Sequence, residues 1–152
     1  MKIDFFEEFP AKENLEKLKL IKFPCRVFIA AKSVKEFQGL EKQAVKINKK
    51  IKTAYWPLVK NSYWISPFSN TKDLAELFKE LEKTNYPLLI DLEPPFLNKI
   101  LFLKNIFSLR KNKKLIKQFL EKNKNRITTA QTPQFQIWAL ELNLDTQRDS
   151  SR

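Results

Sequence analysis

Two hydrophobic periods take turns along this chain, and their alternation constrains the fold more than any other feature. Short runs rich in Val, Ile and aromatic residues suit strands. Each is followed by an apolar stripe recurring every three or four residues, which suits a helix. Residues 2–9 read as a first strand with Ile3 and Phe5 on one face, and Pro10 opens a helix carrying Leu15, Leu18 and Ile21. Residues 26–31 form a second strand, apolar enough to be buried on both faces. Ser33 and Glu36 make a capping box ahead of the stripe Val34, Phe37, Leu40, Ala44 and Ile47. A third strand spans 52–58, and Asn70 or Thr71 caps a helix bearing Leu74, Leu77, Phe78 and Leu81. The fourth strand is 87–92. A helical region from 96 to 122, expected to break at 110–113, leads to a fifth strand at 127–130.

Regular strand–helix alternation implies an α/β protein with a parallel sheet and helices packed on it. Right-handed crossovers leave two closures: repeats like the N-terminal half of an eight-stranded β/α barrel, or an open doubly wound sheet. The barrel is the leading expectation, because polar and aromatic residues recur where the strands end. Glu7, Glu8, Phe9 and Pro10 also stand where a doubly wound sheet usually carries a glycine-rich turn. Residues 1–144 read as one domain and 145–152 as a polar, disordered tail. Five strands cannot close an eight-stranded barrel, and open edges need cover. A second copy of the chain could supply it, or strands that a truncated product lacks.

Composition removes most competing chemistries. Gly39 is the only glycine, so neither a phosphate-cradling P-loop nor a dinucleotide-binding turn can be built. With no histidine, imidazole metal sites and Ser–His or Cys–His nucleophile systems are excluded. Cys25 stands alone beside an apolar run and reads as a buried small hydrophobe. No apolar leader is visible, and no run reaches the roughly 18 residues that span a bilayer, so cytoplasmic residence is expected. What remains is the chemistry of Asp, Glu, Lys, Tyr and hydroxyl groups.

A parallel sheet gathers its strand C-termini on one side, where sites form. The rule collects Glu7 and Glu8, Lys32, Tyr55 and Trp56, Asp91 and Glu93, and Thr128 and Gln131, with Tyr63 and Trp64 from the loop after the third strand. Asp91 and Glu93 are the sharpest pair, since residues two apart on a strand point the same way. Carboxylates sharing one environment push one pKa upward and create an acid usable near neutrality. Ile90-Asp91-Leu92-Glu93 resembles the end of the fourth strand in chitinase-type TIM-barrel glycoside hydrolases, and Leu92-Glu93-Pro94 is similar to the Asn-Glu-Pro ending of another barrel hydrolase group. The resemblance implies Glu93 as general acid and Asp91 as the residue orienting it or stabilising a charged intermediate. The aromatics and Gln131 would then bind a small carbohydrate, with Lys32 available to an anionic group. No cofactor motif is present; Mg²⁺ or Ca²⁺ held by Asp91, Glu93 and Glu7 or Glu8 is a bare possibility of oxygen chemistry.

Charge suggests a rival. Of the net +12, residues 104–126 carry +8, from nine Lys or Arg against Glu121. Arg110, Lys111, Lys113, Lys114 and Lys117 could meet nucleic acid or an anionic membrane surface, as a non-enzymatic binding or assembly protein would. A third reading is a truncated product without independent activity.

Overall fold

The computed structural model describes residues 3–92 and 106–131. Its elements follow in the order β1 (Asp4–Glu7), α1 (Lys12–Glu16), β2 (Cys25–Ala31), α2 (Val34–Ile47), β3 (Ile51–Pro57), α3 (Thr71–Leu81), β4 (Leu88–Leu92), α4 (Leu109–Asn123) and β5 (Ile127–Gln131). Single 3₁₀ turns extend α1 to Leu20, precede α4 at Ile106–Ser108 and lead into β5 at Lys124–Arg126.

All four strand pairings are parallel, and the sheet order is β1-β2-β3-β4-β5. That order settles the choice between closures. A doubly wound sheet must reverse its strand order to place helices on both faces. Here every crossover moves the same way, so right-handed connections put all helices on one face. The result is a curled half-barrel, not an open doubly wound sheet.

Side-chain alternation divides the apolar residues between two cores. Val27, Ile29, Ala31, Tyr55, Leu88, Ile90 and Leu92 pack outward against Leu15, Phe37, Leu74, Leu81, Ile116 and Phe119 of the helices. Phe28, Ala30, Ala54, Trp56, Leu58 and Leu89 form a second cluster on the concave face. At the N-terminal end of that face Arg26 reaches across to Asp4, with Nε 3.0 Å from Oδ1, and its guanidinium lies over the Phe28 ring. A charge-assisted pair therefore closes the bottom of the half-barrel.

The local signals perform as their chemistry requires. Ser33 Oγ accepts from the Glu36 amide at 3.1 Å, and Glu36 reaches back to the Lys32 amide at 2.8 Å. Asn70, rather than Thr71, caps α3 by accepting from the Lys72 and Asp73 amides. Leu15, Leu18 and Ile21 all face the core, although the helix tightens to 3₁₀ geometry after Glu16. Cys25 is buried and free, and burial pushes its thiol up, away from nucleophilic use.

The break expected at 110–113 is a correction. Helix α4 runs through those residues, and the irregular geometry precedes them at Ile106–Ser108. Polar residues there do not interrupt the helix because Asn112 is fully satisfied: Nδ2 donates to Pro67 and Ser69 carbonyls at 2.8 and 2.7 Å, and Oδ1 accepts from Thr71 Oγ1 at 2.7 Å.

Candidate functional site

Regular pairing between β3 and β4 is confined to Tyr55 opposite Leu88. Beyond that point the next segment takes over, and Ile65 forms a parallel bridge to Leu92. Leu58 leaves β3 by donating to Ala31 O, then Val59 and Tyr63 exchange backbone hydrogen bonds at 2.7 and 2.9 Å. A tight loop is thereby seated at the C-terminal end of the half-barrel, anchored by Ser69 Oγ, which bonds Ser62 Oγ at 2.7 Å and the Trp64 carbonyl at 3.3 Å.

Tyr63 is the centre of this arrangement. Among the described residues it alone, apart from any glycine, has a positive φ, 65°. A bulky side chain in the left-handed region is strained by about 1–2 kcal/mol, a feature concentrated at functional sites. Its phenol donates to Glu8 Oε1 at 3.0 Å, across 55 residues of sequence. Burial, the hydrogen bond to Glu8 and the charges of Glu8 and Asp91 together push the phenol up to about 12. Asp91 is itself buried, 9% exposed, on the concave side of β4. Three segments thus deliver Glu8, Tyr63 and Asp91 to one end of the sheet. Trp64 meets the Tyr63 ring edge-on at 5.0 Å.

Directly beneath, Tyr63 packs on the concave cluster that contains Trp56. The Trp56 indole is 6% exposed, and its Nε1 donor has no acceptor among the described residues. An unsatisfied buried donor costs about 1–3 kcal/mol, so such groups in folded chains call for an explanation.

The other candidates separate clearly. Glu7 does not join the cluster: its Oε1 accepts from the Phe9 amide at 3.1 Å, and partial burial raises its pKa. Alternation therefore sends Glu8, and not Glu7, toward Tyr63. Tyr55 is removed as a ligand-stacking residue. It is wholly buried under the helices, stacked on Phe37 at 4.7 Å, with its hydroxyl donating to Ala31 O at 3.3 Å. Burial, followed by the charges of Glu80 and Glu36, drives that phenol upward as well. Lys32 is exposed, and its ammonium makes no ion pair with Glu7 or Asp91 among the described residues. Thr128 and Gln131 stand on β5 opposite Leu89 and Leu92. Glu93, Pro94 and Pro95, like the tail at 145–152, lie outside the described residues. So does one member of the oxygen-ligand set considered for Mg²⁺ or Ca²⁺; among the described residues no three acidic or thiol groups gather.

The basic residues divide similarly. Lys117 pairs with Glu121 at 3.8 Å, Lys122 with Glu82 at 3.0 Å, and Lys113 is also engaged. Arg126 is structural: its guanidinium donates to the Leu81 and Tyr86 carbonyls at 2.9 and 3.2 Å. Arg110 is exposed at the start of α4. Lys111 and Lys114 line a shallow groove of about 480 Å³ between α3 and α4, with Lys72 and Gln118. Lys72 makes only a long contact to Glu76, at 3.9 Å.

The sequence anticipates Tyr63 by its place after a strand, but not its strain or its tie to Glu8. Nor does it disclose Asn112, since one Asn within a Lys-rich helix carries no signal. No helix among the described residues is long and apolar enough to cross a membrane. No family model, curated protein or solved structure matches this chain.

Proposed function

We propose that this chain is a carbohydrate-active, glycosidase-like half-barrel that takes a sugar at the C-terminal ends of its strands. The observation that carries the reading is Tyr63, held in left-handed geometry with its phenol on Glu8 and the charge of Asp91 acting on the same group. A carboxylate–phenol–carboxylate cluster offers donors and acceptors to ring hydroxyls, while the Tyr63–Trp64 pair supplies an aromatic surface. The indole N–H of Trp56 supports the same reading, because a ligand oxygen would satisfy it. In this reading Glu93 donates its proton to the leaving-group oxygen as the glycosidic bond breaks. Asp91 orients Glu93 or stabilises the positive charge that develops on the sugar, and water then adds to the anomeric carbon and returns a proton to Glu93.

The test is hydrolysis of chitooligosaccharides and of a panel of 4-methylumbelliferyl glycosides, alongside tryptophan fluorescence as a binding readout. Glu93→Gln should lower turnover by about 10²–10⁴-fold while leaving binding and circular dichroism unchanged. A variant that kept its hydrolysis would remove the assignment. So would a wild-type chain that neither cleaves nor binds any of these sugars.

The α3–α4 groove favours a second reading, in which Lys72, Lys111 and Lys114 contact nucleic-acid phosphates. Affinity for a labelled oligonucleotide should fall steeply with salt, and Lys111→Glu with Lys114→Glu should reduce the salt slope by about two. Salt-insensitive or absent binding would discard it.

A further inference from the structure

Phe107 is 96% exposed, more than any other large hydrophobic side chain among the described residues. One apolar side chain alone on a surface calls for no partner. Phe107 is set apart by what lines up with it. The 3₁₀ turn Ile106–Ser108 runs straight into α4. Arg110 and Lys111 follow Phe107 by three and four residues and Lys114 by seven, the spacing that stacks side chains along one face of a helix. Lys111, Lys114 and Gln118 line the groove between α3 and α4. Phe107 therefore stands in line with that groove, one turn beyond Lys111.

The charge along this line is uncompensated. Arg110, Lys111 and Lys114 make no ion pair among the described residues, and Lys72 across the groove has only its 3.9 Å contact with Glu76. Glu121 and Glu82, which could neutralise part of α4, are already held by Lys117 and Lys122. The opposite face of α4 belongs to the core through Asn112, Ile116, Phe119 and Leu120. A row of free cations with one bare aromatic ring at its end is what remains outside.

We propose that the nucleic acid in this groove is single-stranded, with one unpaired base stacked on the Phe107 ring while Arg110, Lys111, Lys114 and Lys72 hold the flanking phosphates. The inference deepens the nucleic-acid reading of the α3–α4 groove and rests on it. A ring without neighbours offers its face to any base, and stacking of this kind is tolerant of sequence. In a duplex the bases cover one another and show only their edges in the grooves, so the ring gains nothing there. A bilayer fits this face poorly, because an interfacial helix buries a broad apolar face and the apolar face of α4 is turned into the core. DNA and RNA strands offer the same bases and phosphates, so both serve as probes.

Fluorescence anisotropy of the full chain with labelled oligothymidylate, oligouridylate and a duplex of matching length is the test. One of the single strands should bind at least about tenfold tighter than the duplex, and the tighter of the two names the nucleic acid. Phe107→Ala should weaken single-strand binding by about tenfold, yet leave the slope of affinity against salt unchanged, because a stacked ring releases no counterions. Phe107→Trp should bind as tightly as the wild type. The position is exposed, so both variants should keep the wild-type circular dichroism. Salt-dependent binding that is indifferent to Phe107→Ala, or equally tight on the duplex, would overturn the stacking and leave the phosphate contacts standing. Absence of binding to every strand at low salt would overturn the groove reading as well. Adsorption to phosphatidylserine vesicles that is lost in Phe107→Ala, with no binding to either strand, would overturn the proposal in favour of a membrane surface.

Discussion

At the scale of single residues, the strand-end cluster makes its own measurable claims. Burial comes first and Glu8 second among the influences that hold the Tyr63 proton. Spectrophotometric titration should therefore show a phenol ionising near about 12, absent from Tyr63→Phe and shifted downward in Glu8→Gln. The linkage has a definite sign. The unfolded chain releases this proton near pH 10 and the folded chain retains it toward 12, so the contribution to stability is complete below about pH 10 and is lost as pH rises through 12. A second claim concerns Trp56. Because its indole N–H has no acceptor among the described residues, Trp56→Phe should leave unfolding free energy within about 1 kcal/mol of wild type. The same change should weaken sugar binding; undiminished binding would show that the indole N–H takes no part in it.

Among the elements, α3 and α4 illustrate how a polar residue can hold a helical layer together. Asn112 ties the start of α4 to the loop before α3 through three hydrogen bonds, two to backbone carbonyls and one to the Thr71 hydroxyl. Asn112→Ala would strand the buried Pro67 and Ser69 carbonyls and release the half-buried Thr71 hydroxyl. Denaturant unfolding should show a loss of about 2–4 kcal/mol, with little change in strand-end chemistry. The periodicity of residues 106–126 could not disclose this, because its polar positions look alike from one dimension. Helix caps were readable for the opposite reason. Ser33 with Glu36 and Asn70 with Asp73 act over three residues, so their local sequence contains the whole interaction.

For the molecule as a whole, the five-stranded order makes β2 and β3 the most thoroughly tied part of the sheet. β2 pairs with β1 over four residues and with β3 over seven. Native-state hydrogen exchange should find the slowest amides in Cys25–Ala31 and Ile51–Pro57, with Asp4–Glu7 opening earlier. Uniform protection across β1 to β5 would mean that the β1 edge is held as firmly as the centre of the sheet. The same unequal pairing explains where a site can form. β3 and β4 meet regularly only at Tyr55 and Leu88, leaving room above for the loop that presents Tyr63 and Trp64.

The amino-acid sequence alone determined the alternation of strands and helices, the caps, and the chemistry available to a chain with no histidine and one glycine. Those properties reside in spacing and composition, and the interactions behind them span a few residues. It also narrowed the sheet to two closures, each compatible with the same hydrophobic periods. Tertiary structure chose the half-barrel, because strand order depends on which way each crossover turns, and periodicity is blind to that. It likewise decided that Tyr55 belongs to the helix-side core and Tyr63 to the strand-end cluster, although the two lie only a few residues apart. Which of two tyrosines meets Glu8 is a question of contacts across 55 residues, and only folding in three dimensions answers it.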